Sequence, residues 1–79
     1  MAKSFKIKTD SEQFGESTYQ VGANTKEEAQ QVLIANFPSI ESDDGDPYDL
    51  PEGKREIVDS VEEMRGVEFE HGKAERLYL

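Results

Sequence analysis

Pro51-Glu52-Gly53-Lys54-Arg55-Glu56-Ile57-Val58-Asp59-Ser60-Val61-Glu62-Glu63-Met64-Arg65-Gly66 is the stretch on which the fold turns. Two readings compete. As a helix it has Pro51 near its first turn, Glu52 close behind, and Gly66 as a C-terminal stop. Ile57, Val58, Val61 and Met64 then fall at i, i+1, i+4 and i+7, a helical apolar stripe. As a strand, the alternation would put Asp59 on the same face as Ile57 and Val61. The helix is therefore the preferred reading, with the strand as its alternative.

The helical reading has a consequence for charge. A step of about 100° per residue sets Glu52, Glu56, Asp59 and Glu63 on one side, opposite Ile57, Val61 and Met64. With a rise of about 1.5 Å per residue, these carboxylates lie roughly 4.5–6 Å apart along the axis. One DNA strand presents a phosphate about every 3.4 Å, a density of the same order. Asp43, Asp44, Asp46 and Asp49 extend the acid from the preceding loop, with Glu41 before them. Such a surface suits a groove that normally holds nucleic acid. The competing reading is an ordinary solvated helix face, its negative field weakened by pairing of Lys54 and Arg55 with neighbouring acids at i, i+4.

The acid is also segregated along the chain. Residues 1–40 carry four Lys against five Asp and Glu; residues 41–79 carry five Lys and Arg against thirteen. Almost all of the net charge of −9 therefore lies in the second half. That potential repels nucleic acid and anionic lipid and attracts basic proteins.

Moving outward, Lys3 to Thr9 alternates, with Phe5, Ile7 and Thr9 on one face and Ser4, Lys6 and Lys8 on the other. Lys3, Lys6 and Lys8 would form a small positive edge that discourages further strand pairing. Asp10 to Gly15 suits a hairpin loop, with Phe14 expected to fold back onto the core. Glu16 to Ala23 is the return strand. Thr25-Lys26-Glu27-Glu28 is a capping box. Ala29, Val32, Leu33 and Phe37 recur at helical spacing until Pro38 closes the helix. Residues 39–50 form an acidic loop anchored by Ile40, Tyr48 and Leu50. Val67 to Glu70 alternates, His71-Gly72 suits a two-residue turn, and Lys73 to Leu79 would return as its hairpin partner. The apolar ending Leu77-Tyr78-Leu79 would complete the sheet or pair with another subunit.

The sum is one small α+β domain over residues 1–79. Its order is β-β-α-(α)-β-β, with one or two helices on one face of an antiparallel sheet. A chain of 79 residues buries only about 60–65% of its unfolded surface. Its core is therefore thin.

No catalytic arrangement emerges. There is no Cys, which removes disulfides, thiolate metal sites and thiol nucleophiles. The lone His71 lacks a nucleophile and a cleft, and reads as an exposed turn residue. Asp43-Asp44-Gly45-Asp46-Pro47-Tyr48-Asp49 is rich in oxygen ligands. Taking Gly45 as the sixth position of a calcium loop, however, places Ile40 at the first, where an acid is required. No metal or cofactor is expected. The start lacks a signal-peptide core, no run approaches the ~20 apolar residues of a membrane span, and a cytoplasmic setting follows. The functional expectation is a non-enzymatic acidic protein binding a basic partner, in its concrete form a nucleic-acid mimic that inhibits a nucleic-acid-binding protein. Small acidic inhibitors of phages and mobile elements are analogous in size and charge. The alternative is a structural or regulatory module that dimerises through its sheet edge or apolar C-terminus, with acid serving solubility.

Overall fold

The computed structural model describes residues 1–43, 45, 46 and 49–78. Its elements are β1 (Ala2–Ser11), β2 (Gly15–Ala23), α1 (Lys26–Asn36), β3 (Ile40–Glu41), β4 (Glu56–Phe69) and β5 (Ala74–Leu77). The strands form one sheet in the order β3-β4-β1-β2-β5. The α+β class holds. The sheet is mixed rather than purely antiparallel, because β3 runs parallel to β4.

The first half follows its local signals. β1 and β2 pair with Phe5 opposite Val21 and Ile7 opposite Tyr19, so these four side chains share the buried face. Gly15 turns the hairpin at φ 72°, a left-handed backbone that suits glycine. The Ser11 hydroxyl accepts from the amides of Gln13 and Phe14. Phe14 does not fold back: it is 63% exposed at the tip. Thr25 caps α1 by accepting from the Glu28 amide at 3.1 Å. Glu28 reaches back one residue further than a standard box, to the Asn24 amide. The helix lays Ala29 and Leu33 on the sheet, and Phe37 meets Tyr19 with ring centroids 5.0 Å apart.

The decisive stretch is a strand, not a second helix. A two-stranded hairpin is marginal alone, and β1 has a second edge to fill. The β-branched Ile57, Val58 and Val61 suit a pleated surface. The objection from Asp59 is removed by a β-bulge. Ile7 faces Val61 while Thr9 faces Val58, so two residues of β1 span three of β4. The extra residue is Asp59, which stands exposed at the bulge. Val58 and Val61 thereby reach the core face together, and a 57/58/61 spacing that imitates a helix becomes a strand pattern. Gly66 is not a helix stop. Ser4 pairs with Met64 and Lys3 with Glu68, so the intervening residues bulge out, with Gly66 at φ 77°.

The expected C-terminal hairpin is also revised. His71 and Gly72 do form a turn, but the strands they join are not partners. β4 pairs with β1, whereas β5 pairs with β2. Residues 70–73 arch across the open end of the first hairpin, a span of three strand spacings or about 14 Å. The arch is bonded to the backbone of Gly22, whose amide donates to Lys73 O and whose carbonyl accepts from Gly72 N, both at 2.9 Å. β1 is consequently central, so Lys3, Lys6 and Lys8 do not guard a sheet edge. Ile40 is fully buried and Leu50 half-buried; the third loop anchor, Tyr48, and the terminal Leu79 lie outside the described residues.

Candidate functional site

The acidic candidates separate once β4 is a strand. Asp43, Asp46, Asp49 and Glu52 are exposed on the connection before β4; Asp44 lies outside the described residues. Asp59 projects from the bulge. Glu63 lies opposite Phe5 in the ladder, with Lys3 Nζ 3.9 Å from its Oε1. The common helical face of Glu52, Glu56, Asp59 and Glu63 therefore does not form. At about 3.3 Å per residue, Glu56 and Glu63 stand roughly 23 Å apart along the strand. Exposed Glu62, Glu68 and Glu70 add acid that the helical stripe passed over.

Among the described residues few of these carboxylates form ion pairs with cations. Among the described residues the ion pairs are Lys3–Glu63 at 3.9 Å, Lys6–Glu62 at 4.0 Å and His71–Glu28 at 2.7 Å. The two lysine pairs are long and solvated, a class worth less than about 1 kcal/mol. Other cations are committed elsewhere. The Lys54 ammonium donates to the carbonyls of Pro38 and Ile40. Lys73 sits over the Phe69 ring and Arg76 over Tyr78. His71 is exposed in its turn, and the bond to Glu28 ties the arch to the start of α1. That bond, followed by the Asn24 amide, holds the Glu28 carboxyl below its ordinary value.

Glu56 behaves differently from the other candidates. It turns inward, where its Oε1 accepts from Thr9 Oγ1 at 2.8 Å and both oxygens lie within 3.1 Å of the Tyr19 hydroxyl. Thr9 and Tyr19 are almost wholly buried. Burial first, then the Glu56 charge and hydrogen bond, push the Tyr19 phenol up to about 12. Above this triad opens a cleft of about 230 Å³ lined by Phe14, Ser17, Ser39, Arg55, Glu56 and Arg76. Four segments distant in sequence build it: the first hairpin (Phe14, Ser17), Ser39, Arg55-Glu56 and Arg76. Sequence reading identified none of its residues except Glu56, because the alternation of β2 signals only that Ser17 and Tyr19 share a face.

Among the described residues no cluster of three or more His, Asp or Glu is placed to hold a metal ion. No helix among them is long and apolar enough to cross a membrane. Compared with protein-family models, curated proteins and solved structures, the chain matches none of them.

Proposed function

We propose that the protein is a non-enzymatic interaction module whose acidic second half docks on a basic surface of a partner protein. The observation that supports this best is the unequal use of charge. Thirteen acids stand against five cations in residues 41–79. Of those cations, Lys54, Lys73 and Arg76 address carbonyls, rings or a hydroxyl rather than carboxylates. The docking surface is the exposed loop acids Asp43, Asp46, Asp49 and Glu52 together with Asp59 and Glu62 of β4. Its concrete form is occupation of a nucleic-acid-binding surface in the cytoplasm. With β4 a strand, helical carboxylate spacing plays no part; the imbalance of charge in residues 41–79 supports docking.

Association of this kind is fast and weakens with salt. The test is affinity for the partner across a salt series, repeated with Asp49, Glu52, Asp59 and Glu62 changed to their amides. Steep salt dependence and a large loss in the amide variant support docking through acid. Affinity indifferent to both rejects it.

A second reading draws on the sheet edge. β3 covers only Glu56 and Ile57 on the outer side of β4, and no further strand pairs there among the described residues. An open edge is a route to self-association. A mass in solution that stays monomeric at high concentration removes this reading.

A further inference from the structure

The chain has 18 Asp and Glu but only three Arg, and two of those three line the same cleft. Among the described residues neither forms an ion pair. The pairs among the described residues involve Lys3, Lys6 and His71 alone. Arg76 Nη2 donates to the Ser17 hydroxyl at 3.0 Å, which fixes the guanidinium at the cleft wall. The Arg55 backbone is anchored by donation to Ser39 O at 2.7 Å, while its guanidinium has no hydrogen-bond partner among the described residues. The Glu56 carboxylate inside the cleft is hydrogen-bonded by Thr9 and Tyr19 and forms no ion pair with either arginine. Two guanidiniums that line one recess give it positive potential, which a bound anion would offset. In so acidic a protein, an arrangement that withholds arginine from the many available carboxylates is what an anion site requires.

We propose that this cleft binds a small oxyanion, a carboxylate or phosphate group held between Arg55 and Arg76. The guanidinium fork matches both groups in bidentate geometry. The Ser17 and Ser39 hydroxyls supply further donors, and the Phe14 ring forms an apolar wall for whatever carries the anion. A volume of about 230 Å³ admits one such group with a short side chain, not a polymer segment. This site is independent of the acidic docking surface and stands or falls without it.

The test uses the full chain, labelled for NMR, titrated at neutral pH and constant ionic strength. Sodium phosphate and sodium acetate are the two probes, with sodium chloride as the reference salt. The expected result is saturable movement of the Arg55 and Arg76 side-chain N–H signals and of the amides at 14–17 and 55–56. Arg55→Gln or Arg76→Gln should each weaken binding about tenfold, the effect of losing a charge-assisted bond. Arg65→Gln, outside the cleft, should leave it unchanged. Both cleft arginines are exposed, so the variants should keep the wild-type spectrum elsewhere. Saturation by acetate alone assigns a carboxylate ligand, by phosphate alone a phosphorylated one, and by both the shared chemistry. Linear shifts, shifts matched by chloride, or shifts that persist in the double Arg→Gln variant overturn the proposal.

Discussion

The Tyr19 hydroxyl lies 3.0 Å from one carboxylate oxygen of Glu56 and 3.1 Å from the other, joining β2 to the start of β4 across the intervening β1. Folding thus raises the phenol from 10.0 to about 12. A raised value means that the protonated phenol stabilises the fold. That contribution is complete below pH 10 and is lost as pH rises through about 12. Stability in urea should therefore fall more steeply over this range in the wild type than in Tyr19→Phe. Parallel falls would contradict the assignment. At neutral pH, Glu56→Ala leaves two buried hydroxyls without an acceptor, at a cost of about 2–3 kcal/mol. Tyr19→Phe should cost less, and the two changes together should fall short of their sum.

Gly22 is required for space rather than for backbone freedom. A Cβ there would strike the backbone carbonyl of Glu70 in the arch. Gly22→Ala should cost about 2 kcal/mol or more by denaturant unfolding, in the range of overpacked sites. Gly45→Ala meets mainly the flexible Glu41 Cγ and the end of Ile57, and should cost less. The reverse order would mean that the arch yields easily.

Glu28 links the start of α1 to the arch through His71. Its carboxyl is held below the ordinary 4.5. A lowered value stabilises above 4.5, and the contribution is lost as pH falls through the folded-state value. In His71→Ala the Glu28 carboxyl, followed by NMR, should titrate closer to its ordinary value, because its principal partner is gone. An unchanged midpoint would assign the shift to the Asn24 amide alone.

The outer edge of β4 beyond Ile57 is guarded by exposed Asp59 and Glu62 and by two irregularities in the ladder. Replacing Asp59 and Glu62 with Val removes charge and adds β propensity on an open edge. Sedimentation should show concentration-dependent association beyond that of the wild type. An unchanged mass would mean that the bulges alone suffice.

The parts of the fold legible in the sequence are those fixed by neighbours in the chain. The alternation of Phe5, Ile7 and Thr9, the return through Tyr19 and Val21, and the Thr25 cap each rest on local spacing, and each appears as expected. β4 was not legible because Ile57, Val58 and Val61 fit a helix and a bulged strand equally well. The bulge at Asp59 exists only in register with Lys8 and Thr9, some fifty residues earlier. The His71-Gly72 turn was visible, but its strands choose partners by the geometry of the first hairpin. For the site, charge segregation followed from counting. The inward turn of Glu56 and the placing of Arg55 and Arg76 on one cleft depend on long-range pairing and left no local mark.

The central claim is that the exposed carboxylates of the second half take the place of nucleic acid on a basic partner. Competition tests it most directly: partner captured on immobilised wild-type protein is challenged with duplex DNA at constant ionic strength. The account predicts release by DNA at concentrations that saturate the partner's own DNA binding, together with failure of the Asp49, Glu52, Asp59 and Glu62 amide variant to capture it. Retention that neither DNA nor loss of those four charges disturbs would contradict it.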